Sequence, residues 1–292
     1  MPDSAERAVE REYAALKRKV TSVYKQAYKE VADKGKEYTK KHEARAKKYS
    51  QMVKDGKMSK ADYDAWMQGQ VFQGKQWEAK KKQMQDSLYH ADLTAQKMID
   101  DSRYRVFAEG ANYTTRKIKS DTGIGASFRL YDEQTVKRLV KDKPELLPPG
   151  KVGKDKAYKW YSKRIQSSIT QGILQGEDIT QIAQRIGRQT GQSELSTTLR
   201  HARTAFTGAQ CAGRMEGLHE AQKMGIRVQK QWLATKDSRT RDAHIDLDGQ
   251  IVDVDEPFES ELGPIMYPGD PDADPANVWN CRCTLTYVYP DY

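Results

Sequence analysis

Apolar side chains recur at three- and four-residue steps through the first hundred residues of the chain. The clearest stripe lies in residues 5–34, where Lys and Glu fill the other faces. Its members are Tyr13, Leu16, Val20, Val23, Ala27 and Val31. Helices this long and this weakly apolar need a partner to cover the stripe. The pattern therefore predicts long N-terminal helices that pack as a helical hairpin or stalk.

Glycine and capping residues divide this helical pattern. Gly35 is predicted to interrupt the first helix, and Asp55-Gly56 to stop the second. Ser59 is predicted to cap a third helix, which runs past residue 99. The aromatic positions of residues 60–80 suit either a docking patch or the seam of the hairpin, and we favour the seam.

The pattern changes after residue 110. Residues 127–142 indicate a short alternating strand followed by a short helix, and the LLPPG sequence that ends at Gly150 marks a boundary. Beyond it, Gly187 is predicted to close one helix before a long helix rich in small residues begins. The predicted segments are a helical stalk (1–110), a linker with a short strand and helix (111–153), a helical domain (154–225) and a small β-rich module (226–292).

Composition agrees with a mainly α fold that carries a small α+β C-terminal domain. Only 37% of the residues are hydrophobic and 31% are charged, so much of the chain must face water. The formal net charge of +9 favours a polyanionic partner such as DNA, or an acidic protein surface, and it equally suits solubility alone. No stretch approaches the roughly 18 to 20 apolar residues of a membrane span, and the N-terminus lacks a secretory signal. We therefore expect synthesis in the cytoplasm and no membrane partner.

The C-terminal part concentrates the chemistry-bearing residues of the chain. A loop predicted to follow a strand carries Asp237, Arg239, Thr240, Arg241 and His244, and Asp248-Gly249 is a hairpin-turn signal. A Pro-rich passage then leads to Asn280, Cys281 and Cys283 before a last predicted strand.

Three interpretations of this cluster remain open. His244, Cys281 and Cys283 could bind zinc, with an Asp as the fourth ligand, although Cys-x-Cys differs from the common two-residue-gapped pair. His244 with Asp242, Asp246 and Asp248 could form an acid–base or metal-dependent centre. Finally, the charged residues could join loops by hydrogen bonds, with both cysteines as small core residues. We favour this structural interpretation, with no cofactor and no catalytic residue.

The order of uncommon residues from Trp232 to Gln250, W-x-A-T-x-D-x-R-T-R-x-x-H-x-x-L-D-G-Q, resembles the signature of the phage Mu F-like head morphogenesis family. The sequences PGDP (268–271), NCRC (280–283) and HART (201–204) are similar to the same family, and in the last of these Arg203 and Thr204 are followed by Ala205 instead of an acidic residue. The resemblance covers about residues 126–290.

This resemblance implies a minor capsid protein of a tailed phage, located inside the virion near the portal vertex. It further implies contact with the portal protein, with other capsid or scaffold proteins, and with double-stranded DNA, in procapsid assembly and DNA packaging or ejection. The absence of a recognition motif predicts DNA contacts without sequence specificity. The alternative is a metal-dependent enzyme, a nuclease or a transferase, centred on His244.

Overall fold

The computed structural model of the chain describes residues 2–124 and 130–290. Its helices are α1 (Ser4–Lys40), α2 (Glu43–Lys54), α3 (Lys60–Trp66), α4 (Lys75–Thr122), α5 (Glu133–Asp142), α6 (Lys154–Leu174), α7 (Ile179–Lys223), α8 (Asp242–Asp246) and α9 (Pro275–Val278). A π-helical turn (Met67–Val71) follows α3, and a 3-10 turn (Pro144–Leu146) follows α5. Its strands are β1 (Gln229–Leu233), β2 (Ile251–Asp253), β3 (Phe258–Ser260), β4 (Gly263–Ile265) and β5 (Thr284–Val288).

These elements confirm the predicted fold class, which is mainly α with a small α+β C-terminal region. None of the helices in the described ranges has both the length and the hydropathy that crossing a bilayer requires. The short helix predicted before residue 142 is α5. The short strand predicted just before it falls mostly on residues 125–129, outside the described residues.

The chain forms two compact units, each assembled from separate segments. Unit 1 comprises Met1–Arg18, Lys97–Gly150 and Leu199–Tyr292, and unit 2 comprises Lys19–Gln96 and Lys151–Thr198. The helices α1, α4 and α7 each contribute residues to both units. The predicted segments divide the chain linearly, whereas these units are discontinuous in sequence.

Unit 2 has a core of aromatic and aliphatic side chains. Trp77 is 1% exposed and packs edge-on against Phe72, with ring centroids 5.2 Å apart. Trp66 packs in the same way against Tyr49. The aromatic positions of residues 60–80 therefore lie inside the unit, as a helical seam requires. The helix predicted to run through them is broken, however, because Gly74 adopts a φ of 88° between α3 and α4.

The helix breaks predicted at Gly35 and Gly187 are wrong. Both residues lie inside continuous helices, α1 and α7 respectively. A Cβ atom on Gly35 would lie 3.0 Å from the Cβ of Ala183, and one on Gly187 would lie 2.7 Å from the carbonyl oxygen of Tyr28. These glycines are needed because a neighbouring helix occupies the space that a side chain would fill.

In unit 1, glycines likewise allow a close contact between two helices, α4 and α7. The predicted boundary at residue 110 falls inside α4, which continues to Thr122. A Cβ atom on Gly110 would overlap the carbonyl oxygen of Gln210, and one on Gly213 would overlap the carbonyl oxygen of Phe107. Gly110 therefore marks a close approach of two backbones, and the helix ends only before Gly123.

The C-terminal module, residues 226–290, contains a three-stranded antiparallel sheet of order β2-β1-β5. Trp232 of β1 pairs with Leu285 of β5, and both side chains are buried. The strands β3 and β4 form a separate hairpin. Asp248-Gly249 does lead into β2, but α8 precedes it, so the turn does not join two adjacent strands as predicted.

The contact between α4 and α7 generates a first prediction. We expect Gly213→Ala to lower the free energy of unfolding by on the order of 2 kcal/mol or more, because the added methyl group overlaps a backbone carbonyl that cannot rotate away. Intrinsic helix propensity opposes this loss by only about 1 kcal/mol. Urea unfolding followed by circular dichroism measures the change.

Gly69→Ala is the matched control, since Gly69 lies in the π-helical turn and an added Cβ there would meet nothing within 4 Å. This variant should keep or slightly raise the stability. Equal stabilities of the Gly213 and Gly69 variants would contradict the close-approach argument.

Candidate functional site

Hydrogen bonds from α7 fix the loop that contains the two cysteines of the C-terminal module. The Thr207 hydroxyl donates to the carbonyl oxygen of Cys281 at 2.7 Å. The Thr204 hydroxyl accepts from the backbone N–H of Asn280 at 2.8 Å, where Asn280 adopts a φ of 57°. One turn of α7 thus holds the chain on both sides of the peptide bond that joins Asn280 to Cys281.

Arg203, the neighbour of Thr204, takes part in a different contact. Its guanidinium forms an ion pair with Glu10 of α1 and lies 3.7 Å from the ring centroid of Tyr13. The residue therefore joins α7 to α1 inside unit 1, and the structure does not bring it to the other residues of the motif.

Asp237 organises the loop that follows β1. Its two carboxylate oxygens accept hydrogen bonds from the Arg282 guanidinium at 2.5 and 2.7 Å. The backbone N–H of Arg239 donates to the same carboxylate at 2.9 Å. The Arg282 hydrogen bonds, and then this backbone bond, hold the pKa of Asp237 well below its usual range. Because the folded pKa is lowered, this stabilisation is present above the usual carboxyl pKa and is lost in acid.

The remaining loop residues contact Asp237 or the segment before the cysteines. The backbone N–H of Thr240 donates to the carbonyl oxygen of Asp237 at 3.0 Å. Arg239 has a 75% exposed side chain, whose guanidinium lies 3.4 Å from the Asp237 carboxylate. Arg241 donates to the backbone carbonyl oxygen of Trp279.

Asp248 and Gly249 close the loop onto β1. The Asp248 carboxylate accepts from the backbone N–H of Ala234 at 2.9 Å and pairs with Lys236 at 2.6 Å. These contacts lower the pKa of Asp248, and the bond from Lys236 has the largest effect. Gly249 adopts a φ of 84°, and its N–H donates to the carbonyl oxygen of Trp232.

His244 lies at the centre of the module. It is 1% exposed, and the ring of Trp232 packs edge-on against it, with centroids 5.3 Å apart. Its Nδ1 atom lies 3.5 Å from the Cys281 sulfur and 3.6 Å from the Cys283 sulfur. Its Nε2 atom lies 2.9 Å from the side-chain oxygen of Asn277. Both ring nitrogens therefore have buried partners.

The two thiols of this cluster differ in acidity. The hydrogen bond with Cys281, and then contact with His244, lower the pKa of the Cys283 thiol below its ordinary value, against the effect of burial. The same hydrogen bond, together with burial, raises the pKa of Cys281. Together the two thiols and the imidazole form the sole group of three potential metal-ligand side chains found among the described residues.

The structure thus brings together two sets of the predicted site residues. Asp237 is contacted by Arg239, Thr240 and Arg282. His244, Cys281 and Cys283 form a buried cluster against Trp232. The carboxylates proposed as partners of His244 do not join that cluster, since Asp242 and Asp246 are exposed and Asp248 binds the β1 end of the loop. The parts of the chain that the structure describes therefore show no acid–base pair around His244.

Sequence reasoning missed Arg282, Asn277 and Lys230. Arg282 lies between the two buried cysteines just before β5, and its side chain reaches the Asp237 carboxylate. Lys230 is fully buried and donates to the carbonyl oxygen of Met266 at 2.9 Å. Burial lowers the pKa of Lys230 to about 8. Its inward position follows from its two-residue spacing to Trp232 in β1.

The Asp237–Arg282 pair generates a second prediction. We expect Asp237→Asn to loosen the loop, because a neutral amide cannot accept two charge-assisted hydrogen bonds from one guanidinium. Native-state trypsin should then cleave after Lys236, Arg239 or Arg241 several-fold faster than in the parent protein. Mass spectrometry of the early fragments identifies the cleaved bond.

Asp246→Asn provides the control, since it removes an exposed carboxylate of α8 outside this network. Its cleavage pattern should match that of the parent chain. Unchanged cleavage in the Asp237 variant would show that the loop is held by other contacts.

Comparison with known proteins finds relatives of the segment that contains the motif. Residues 163–286 match the family model described as Phage Mu protein F like protein. The chain is 35% identical over 168 residues to the minor head protein GP7 of Bacillus phage SPP1, and the alignment covers 57% of this chain and 53% of that protein.

A second relative has a different name. The chain is 37% identical over 131 residues to the NAD(+)--arginine ADP-ribosyltransferase EFV of Enterococcus faecalis, across 44% of this chain and 26% of that protein. The chain thus spans about half the length of the first relative and about a quarter of the second. No solved structure matches it. Residues 163–286 of this chain are thus similar to the phage Mu F-like family, and the longer of the two alignments is with a minor head protein.

Proposed function

We propose that this chain is a structural and assembly protein of a tailed-phage head, bound at the portal inside the capsid, where it contacts DNA without reading its sequence. The observation that carries this proposal is the family match over residues 163–286, together with the similarity to a minor head protein. The alignment covers only 53% of that relative, so the role of the whole relative is proposed for this chain and is not shown. Contacts and charges within this chain give the proposal further support.

The C-terminal module supports a structural role. Its motif residues bind backbone groups or one another, as Thr204 does with Asn280 and Arg241 does with Trp279. His244 is nearly inaccessible, so a substrate has no path to its ring in this fold. An enzyme centred on His244 would need an open cleft beside a reactive group. The relative named as a transferase aligns over only 26% of its own length. Its reaction therefore cannot be assigned to these residues.

The DNA contact is supported by a lysine stripe on α1 in unit 2. Four exposed lysines of this helix lie within about 60° of one another at 100° per residue. They are Lys25, Lys29, Lys36 and Lys40. Between Lys25 and Lys40 the helix rises by about 22 Å, which is a length comparable to several phosphate spacings of a DNA strand. An amphipathic helix with its apolar face buried and lysines outward suits contact with a phosphate backbone.

A third prediction follows for DNA binding. Binding to duplex DNA should weaken steeply as salt rises, with nearly equal affinity for unrelated sequences. Replacing the four stripe lysines by Gln should reduce the slope of log K against log salt by up to about 3.6, because each lost phosphate contact removes about 0.9. Fluorescence anisotropy across a salt series measures this slope.

The control variant removes the same charge from scattered positions of unit 2. It replaces Lys57, Lys82, Lys151 and Lys159, which are exposed and lie on different segments. We expect a slope change of less than about 1 for this variant, since separated charges do not track one strand together. Equal slope changes in the two variants would attribute binding to net charge alone.

A fourth prediction concerns location. The chain should co-purify with the portal oligomer of its own phage and should be present in few copies per purified head. Quantitative mass spectrometry of heads and of portal complexes expressed with and without the chain measures both. Purified heads that lack the chain would contradict the proposal, whereas a chain present in heads but absent from portal complexes would overturn only the portal contact.

A further inference from the structure

The buried His–Cys cluster has the dimensions of a metal-binding site. The candidate ligand atoms of His244, Cys281 and Cys283 all lie within 4.8 Å of one another. In a tetrahedral zinc site, bonds of about 2.0–2.1 Å to nitrogen and about 2.3 Å to sulfur place the two ligand atoms about 3.6 Å apart. The nitrogen–sulfur distances here are 3.5 and 3.6 Å.

The hydrogen bonds of Asn277 orient the imidazole of His244 so that its Nδ1 atom faces the two sulfurs. The Asn277 side-chain nitrogen donates to the carbonyl oxygen of Gly263 at 3.0 Å, which leaves its side-chain oxygen to face His244. That oxygen must accept from the Nε2–H of His244 at 2.9 Å. The proton is thereby assigned to Nε2, and the Nδ1 lone pair points toward both sulfurs. Metal-binding histidines are oriented by such a partner on the distal nitrogen.

The sequence around the cysteines is folded to place both sulfurs on one side. Alternation directs Cys281 and Cys283 to the same face, while Arg282 turns away to the Asp237 carboxylate. The backbone N–H of Cys283 also points at the Cys281 sulfur, 3.4 Å away. A nitrogen and two sulfurs form a soft ligand set that suits zinc rather than magnesium or calcium.

We propose that His244 Nδ1, Cys281 Sγ and Cys283 Sγ bind one zinc ion, with a water molecule or hydroxide as the fourth ligand. The ion joins α8 to the segment that precedes β5, and Asn277 extends the connection to α9. Because all three side chains are at most 3% exposed, the site acts in stability and does not receive a substrate. This proposal is independent of the DNA and portal contacts.

The test measures metal in the full chain, purified without chelators and under a reducing agent. We expect one zinc per chain by elemental mass spectrometry in the parent protein. The double variant Cys281→Ala/Cys283→Ala should lose it. Cys211→Ala is the matched control, because Cys211 is fully buried in the same hydrophobic cluster but lies outside the ligand set, and it should keep its zinc.

Two further measurements separate ligand loss from unfolding. Asn277→Ala keeps all three ligands and should weaken zinc affinity by about 10- to 100-fold. Cobalt titration of the metal-free, folded parent protein should give thiolate-to-metal charge-transfer bands, also in Cys211→Ala but not in the double variant. A parent protein that contains no zinc and gives no cobalt bands would overturn the proposal, leaving thiol–imidazole hydrogen bonds. Zinc retained in the folded double variant would also overturn it.

Discussion

Contact between the backbones of α4 and α7 is the constraint on which unit 1 depends. Gly213 and Gly217, one turn apart on α7, face α4, where their missing side chains leave room for Phe107 and Thr114. Gly208 lies on another face of α7, where an added Cβ would lie 2.5 Å from the carbonyl oxygen of Gly269. One helix thus packs closely against α4 and against the C-terminal module. Small side chains on both faces are required because no larger residue fits either contact.

The energy gained from this close packing outweighs the helix propensity that the glycines lose. Each glycine in a helix interior costs about 1 kcal/mol relative to alanine, so a helix with several of them would be marginal alone. Backbone contact recovers this energy through dispersion over many atoms at native packing density. It also holds Thr204 and Thr207 in register with the loop at Cys281, because hydrogen bonds of 2.7 and 2.8 Å tolerate little rotation of the helix. Packing on one face therefore determines geometry on another.

Sequence signals predicted helix ends correctly where the end depends on residues next to it in the chain. Ser59 accepts from the backbone N–H of Asp62, as the capping pattern predicts, and α2 ends just before Asp55-Gly56, where Gly56 adopts a φ of 67°. The predictions that Gly35 and Gly187 break helices are wrong, because the sequence shows a glycine in the same way whether it supplies a positive φ or a close approach. Only the position of the neighbouring helix distinguishes the two, and that position is tertiary information.

The site shows the same limit. The motif residues were recognisable as a group, and His244 was correctly associated with the two cysteines. Their partners Arg282 and Asn277 were missed, because they are brought in from 33 to 45 residues away by loops whose path the sequence pattern does not define. The catalytic alternative depended on neighbouring carboxylates, and sequence proximity gave no indication that Asp242 and Asp246 face solvent.

The motif determines a shape more than a reaction. Asp237 binds a guanidinium and a backbone amide, Asp248 binds the end of β1, and His244 has a buried partner on each ring nitrogen. A hydrogen bond that holds a loop must break before the same atoms can bind another group. A fold by itself does not imply one function. Proteins that contain this module can therefore differ in function through exposed surfaces outside the motif. The lysines of α1 are one such surface in this chain.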